Sequence, residues 1–356
     1  MNNPTPLVRS NALSTHANQV YLKFETVHPG MSFKSRGMTY YSQRAKEQRG
    51  PTVHLVIASG GNAGFAVACA ARSLGVRCTV FLPEWPADSS VAFLKNENAH
   101  VVIQGKTYGE AWQAAKAFAA AEENAVSVPA YDDPIVWEGH SSLVKEIIQQ
   151  HPEKPAAIFC SVGGAGLLGG VIRGCNAVGW DSVPIVALET MGTDCFYHSM
   201  ALNRRKDVEL PPGVTAEHDA QYDVRVARFS SFSSKASGSL GASAPAAGVV
   251  KMALERPGGV ICVTMPDELA MQAACKLADD HKTLVELACS VTLVPAYKRE
   301  LFEHVVQSRG DCVYVVCGGY KVSLDDLFGY RATLDTIADG KEFSVHCDGE
   351  VIQVKK

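Results

Sequence analysis

The chain has no apolar run long enough to cross a bilayer, which speaks against a helical membrane protein. It also lacks an excess of charge. Its 33 Lys and Arg stand against 37 Asp and Glu, a formal net charge of −4, so neither nucleic acid nor an anionic membrane is indicated as a partner. The opening residues Met1-Asn2-Asn3-Pro4-Thr5-Pro6 have neither the basic and apolar regions of a secretory leader nor the arginines of a mitochondrial one. A cytoplasmic location is therefore expected. No Cys-x-x-Cys pair occurs among the 11 cysteines, an odd number, and Cys69, Cys160, Cys262 and Cys317 lie in apolar runs. That pattern suits buried thiols in a reducing compartment, not a disulfide framework or a zinc site. The histidines show no metal-ligand spacing, and there is no internal repeat.

What is present is apolar material for a large core: 47% of the 356 residues are hydrophobic and 20% charged, and the length suggests two domains. Short β-branched runs alternate with helix-like stretches. Strands are expected at Val20–Phe24, Val53–Ala58, Val76–Leu82, Val101–Ile103, Val126–Val128, Ala156–Val162, Pro184–Leu188, Val260–Val263 and Val313–Val316. This alternation predicts an α/β fold of two open parallel sheets with helices on both faces. Residues 206–245, rich in Ser, Gly, Ala and Pro, read as a loop region with short structured pieces. The alternating tail after Tyr330 reads as a possible edge hairpin.

The chemistry is concentrated in three places. Lys34, in Ser32-Phe33-Lys34-Ser35-Arg36-Gly37, sits where a strand hands over to a helix expected to open near Met38. A lysine desolvated there loses its proton more easily and becomes a nucleophilic amine. Ser59-Gly60-Gly61-Asn62-Ala63-Gly64 follows a strand and opens an alanine-rich helix, so its N–H groups suit a carboxylate. Gly163-Gly164-Ala165-Gly166-Leu167-Leu168-Gly169 has the same context and suits a phosphate. Gly164-x-Gly166-x-x-Gly169, with Glu189 at the end of the next strand, also matches a dinucleotide fingerprint, leaving an NAD-linked dehydrogenase open. One phosphate loop, one carboxylate-ready loop and a reactive lysine together suit an amino-acid enzyme using pyridoxal phosphate.

Those three segments, with Asp132-Asp133-Pro134-Ile135-Val136-Trp137-Glu138-Gly139-His140 and Val316-Cys317-Gly318-Gly319, resemble the L-serine/threonine dehydratases (ammonia-lyases) of the fold type II, tryptophan-synthase-β-like pyridoxal-phosphate enzymes. The resemblance runs in order from about residue 4 to 328. It implies that Lys34 carries the cofactor, Phe33 lies against its ring, and Asn62 bonds the ring's phenolic oxygen. Ser59, Gly60, Gly61 and Asn62 would take the substrate carboxylate. Gly163, Gly164, Ala165, Gly166 and Leu167 would take the cofactor phosphate, and Cys317 would face the ring nitrogen. Glu189 would stand near a monovalent cation such as K+, with Glu286 as a second candidate. A homodimer is implied as well. The larger domain would comprise residues 1–38 and 134–356 and the smaller 39–133, with the cofactor in the cleft between them.

The implied reaction is elimination from L-serine to pyruvate and ammonia, and from L-threonine to 2-oxobutanoate. A serine racemase, a β-replacement synthase and a catalytically silent amino-acid sensor share parts of the pattern. Several positions depart from the family. Gly60 stands where some members have alanine, Tyr320 where asparagine or serine is usual, and Leu287 and Ser290 replace a proline and a glycine. Ala165 replaces a glycine, acceptable at negative φ. Asp132 and Asp133 read as a turn and helix cap, and His140 as a packing residue.

Overall fold

The short apolar runs assemble into two main sheets. The computed structural model describes residues 4–306 and 309–356, so Met1, Asn2 and Asn3 of the opening segment lie outside the described residues. Four parallel strands form the smaller sheet in the order His100–Ile103, Arg77–Leu82, His54–Ala58, Ala125–Ser127. The larger sheet has eight strands: Leu7–Arg9, Val20–Phe24, Cys312–Val316, Ala157–Ser161, Ile185–Thr190, Val260–Met265, Glu342–Cys347 and Glu350–Lys355. Its five inner strands, from Val20–Phe24 to Val260–Met265, run parallel. Every residue of Cys312–Val316 is buried, as a strand covered on both faces requires. Inside it Tyr314 stacks on Phe159 with centroids 4.1 Å apart.

Both edges of the large sheet are antiparallel. Leu7–Arg9 closes one, and the tail adds the expected hairpin to the other, through Val263 and Thr264. Within 206–245 a hairpin appears that the composition hid: Val214–Asp219 pairs with Val224–Phe229. Asp219 organises its turn, accepting hydrogen bonds from the Gln221 and Tyr222 amides at 3.0 Å.

The lysine segment also differs from expectation. Its helix spans Lys34–Arg49, starting four residues before Met38 and placing Lys34 on the first turn. A buried charge network holds that helix. The Arg36 guanidinium bonds Glu25 Oε2 at 2.6 Å and Glu146 Oε1 at 2.6 Å, and Lys23 Nζ reaches Glu146 Oε2 at 2.8 Å. Thr5 Oγ1 and His28 complete the shell around Glu25. Burial by itself would raise the Glu25 carboxyl, but hydrogen bonds from His28 and Arg36, and the charge of Arg36, outweigh it and hold it at about 2. The network ties the N-terminal strands, the lysine helix and the helix Pro134–Gln150 into one body.

Removing Arg36 strands two carboxylates inside that body. Arg36→Met is expected to destabilise the protein by about 3–5 kcal/mol in urea unfolding. A loss below about 1 kcal/mol would show that the network adds little.

Candidate active site

Three loops converge at the carboxyl ends of the strands. Ser32 forms an antiparallel bridge with Gly318, the Phe33 amide donates to the Cys317 carbonyl at 3.0 Å, and Gly319 N donates to Met31 O at 2.8 Å. The lysine loop and the Cys-Gly-Gly loop are therefore one stitched unit. Gly318 has φ +83°, and a Cβ on Gly319 would strike the Glu286 carboxylate. Cys317 Sγ lies 3.4 Å from Ser161 Oγ at the end of the neighbouring strand.

Lys34 Nζ donates to the Ala130 carbonyl at 2.6 Å, and no carboxylate pairs with it among the described residues. Burial lowers its amine to about 8, a shift that Cys317 partly opposes. The Phe33 ring lies beside it, 5.3 Å from Nζ to the centroid, and packs at 5.0 Å on His140. His140 is buried, and Nδ1 accepts from the Gly37 amide. Burial, then the charges of Lys34 and Arg36, push it well below the usual imidazole range. It is the packing residue expected. Asp133 likewise caps its helix, with Oδ1 accepting from Ile135 N at 2.7 Å.

The two glycine loops are rows of unpartnered donors. Among the described residues, the backbone amides of Gly163, Gly164, Ala165, Gly166 and Leu167 make no hydrogen bond within the chain. The same holds for Gly60, Asn62, Ala63 and Gly64, while Gly61 N meets Ser59 Oγ at 3.2 Å. Both rows stand at helix N-termini, where the dipole favours an anion. The glycines are there for space: a Cβ on Gly64 would overlap the Ser59 carbonyl, and one on Gly163 would lie 2.7 Å from the Leu240 carbonyl.

Ala165 corrects an expectation. Its φ is +67°, not negative, because it caps the helix Gly166–Ala177 in the left-handed conformation. That geometry disfavours an L-residue by about 1–2 kcal/mol. The buried methyl and the lower backbone entropy of alanine offset much of it.

Asn62 is held from two sides. Oδ1 accepts from Tyr320 N at 3.2 Å, and Nδ2 donates to Glu286 at 3.1 Å and to Ser239 at 3.3 Å. Glu286 also receives Lys321 N and the Ser239 hydroxyl. It precedes the short helix Leu287–Ser290 and is a buried, hydrogen-bonded partner of Asn62. Pairwise, Asn62 and Glu286 are 224 residues apart, which no local pattern exposes.

Glu189 ends its strand fully buried, accepting from Phe196 N at 3.0 Å and Tyr197 N at 2.6 Å. Burial, with the charge of Asp194, pushes it well above the carboxylate range. Both oxygens are engaged and shielded, so it cannot grip a ribose as the dinucleotide reading requires. Metal-ligand side chains meet at His151, Glu153 and Asp311, by the opposite end of the strand Cys312–Val316. Spacing could not reveal this group, since 160 residues separate His151 from Asp311. A cavity of about 440 Å³ beside Gln272, Lys298 and Leu334 lies outside these loops.

A sequence model described as pyridoxal-phosphate dependent enzyme matches residues 1–318. The chain belongs to this family. Among relatives of the pyridoxal-phosphate dependent enzymes, a human protein named L-serine dehydratase/L-threonine deaminase is 37% identical, covering 93% of this chain and 94% of its own. A mouse protein named serine dehydratase-like is 38% identical, covering 91% and 92%. The solved fungal L-serine ammonia-lyase of Rhizomucor miehei is 28% identical with TM-score 0.80, covering 94% of this chain and 99% of the other. The family's cofactor fits these residues: five free amides suit its phosphate, and a lowered amine suits its carbonyl.

Two outcomes follow from this geometry. At position 165 a β-branched residue cannot share alanine's compromise, so Ala165→Val should lose more than about 2 kcal/mol in urea unfolding, against less than about 1 for Ala165→Gly. In cofactor-free protein, acetic anhydride labelling of Lys34, read by mass spectrometry, should rise with pH through a midpoint near 8. Below that pH the amine is protonated and inert; a midpoint above 10 would contradict its desolvation.

Proposed function

We propose that the protein eliminates water from β-hydroxy amino acids, converting L-serine to pyruvate and ammonia and L-threonine to 2-oxobutanoate. The observation that carries this reading is Lys34, with its lowered amine, lying among rows of unpartnered amides. The relatives' names support the reaction class. In this reading Gly163 to Leu167 hold the cofactor phosphate, Phe33 lies against the ring, and the thiol of Cys317 faces the ring nitrogen. Asn62 would keep Glu286 and exchange its Nδ2 contact with Ser239 for the cofactor's phenolic oxygen. Ser59, Gly60, Gly61 and Asn62 hold the substrate carboxylate.

The bound cofactor supplies the electron sink that makes the substrate's Cα proton acidic. Lys34 Nζ, which would hold the cofactor, is also the amine placed to remove that proton, and would act as general base. Desolvation lowers the amine to about 8, so far more of it is neutral near physiological pH than of an exposed lysine, and the neutral form is the one a base needs. A thiol at Cys317, in place of a carboxylate, would not hold charge on the ring nitrogen, which would favour prompt loss of the β-hydroxyl. Glu189 and Asp194, buried close together, would be relieved by a monovalent cation.

The proposal extends to the wider organisation. The four-stranded sheet lies wholly within 54–127, supporting a small domain of residues 39–133 beside a large one of 1–38 and 134–356. All 11 cysteines are free, as in the reducing cytoplasm that the proposal assigns; among the described residues no helix is long and apolar enough to cross a membrane. A homodimer is the assembly the resemblance implies.

The test is turnover by a folded Lys34→Ala variant. Pyruvate formation from L-serine should fall by more than about 10³-fold, since one amine both anchors the cofactor and moves the proton. Substantial residual pyruvate in that variant, or wild-type enzyme yielding mainly D-serine, would overturn the reading.

A further inference from the structure

Tyr320 begins on one sheet and ends in the core of the other. It follows the Cys317-Gly318-Gly319 turn that leaves the large sheet, yet its ring is only 7% exposed and packs in the small sheet's core. Phe65 lies 4.8 Å away and Phe93 5.1 Å, centroid to centroid. At the end of that ring, Oη donates to the Gly60 carbonyl at 2.7 Å, with Ser90 Oγ 3.2 Å from the same oxygen. The Tyr320 amide meanwhile holds Asn62 Oδ1. One residue thus grips both ends of the Gly60-Gly61-Asn62 loop.

The grip has a directional consequence. In a trans peptide the carbonyl and the following N–H point in opposite directions. Holding the Gly60 carbonyl toward Tyr320 therefore turns the Gly61 N–H to the far side, where Ser59 Oγ stands 3.2 Å away. Two consecutive glycines leave this peptide free to rotate, and neither has a side chain to restrain it. Gly61 itself is extended, with φ −109° and ψ −161°, and no other group among the described residues bonds the Gly60 carbonyl.

We propose that Tyr320 is a positioning residue for substrate, clamping the Gly60–Gly61 peptide so that the loop's donors face the substrate carboxylate. The inference rests on the proposal above that this loop holds that carboxylate. The clamp works through Gly60 and Asn62 and does not touch Lys34, so it governs binding of the amino acid in ground and transition states alike. Such uniform binding appears in KM and leaves kcat in place.

Tyr320→Phe keeps the ring between Phe65 and Phe93 and deletes the clamp alone. In the holoenzyme, KM for L-serine should rise about 3- to 10-fold, the scale of one lost hydrogen bond, with kcat within about 2-fold. Calorimetric Kd for L-alanine, which has the amine and carboxylate but no β-leaving group, should weaken by the same factor, and Tm should barely move. Unchanged KM and Kd would overturn the inference, as would a loss confined to kcat or to Tm. Gly61→Ala separates the two readings. If Gly61→Ala weakens L-alanine binding and Tyr320→Phe does not, the clamp is wrong. If neither variant weakens it, the carboxylate loop itself is misplaced.

Discussion

Backbone amides without partners are the constraint on which this site depends. A buried N–H normally finds an acceptor in the chain, because leaving it bare is costly. Among the described residues, two strand-to-helix loops here leave nine amides without a partner in the chain, five from Gly163 to Leu167 and four around Asn62. That arrangement is stable only if an anion or water satisfies them. Space accounts for glycine at two of those positions: a side chain on Gly64 or Gly163 would strike the neighbouring backbone.

The lysine has meaning only beside those loops. Its amine is low because it is desolvated, and it stays desolvated because the segment carrying it is stitched to the Cys317 turn and pinned from behind by Arg36. The buried charges are placed outside the reacting zone. Arg36, Glu25, Glu146 and Lys23 lie beneath the lysine helix, where they fix its position without competing for its proton. Glu286, the acid that does reach the loops, is occupied by Asn62, Ser239 and Lys321.

The turn after Cys312–Val316 links everything. It bonds the lysine loop through Cys317 and Gly319, and the Gly60–Asn62 loop through Tyr320. Lys34 and the Gly60–Asn62 loop, which follow strands of different sheets, are thus referred to one short segment. Tyr320 is one of the positions where the chain departs from the usual residues of the dehydratases it resembles, and its ring reaches from the turn leaving the large sheet into the core of the small one.

Much of this was legible before any coordinates. Strands and helices in alternation predicted parallel sheets, because buried parallel strands must be continuous apolar runs, and the loops announced themselves by glycine density after a strand. Lys34, Asn62 and Cys317 stood out by local context together with the family resemblance. What local pattern could not reach were relations between distant residues. Nothing local showed that Tyr320 reaches Gly60 or that Glu286 holds Asn62, and Ala165 read as a residue of negative φ, which its φ of +67° corrects. The partner of Tyr320 is 260 residues away, that of Glu286 is 224 away, and the φ of Ala165 is set by how its loop enters the helix. The amino-acid sequence determined which groups could do chemistry and on which kinds of element they sit, since propensity and glycine steric demands act locally. Only the tertiary structure decided which of them face one another, because that depends on how two separately packed cores are brought into register.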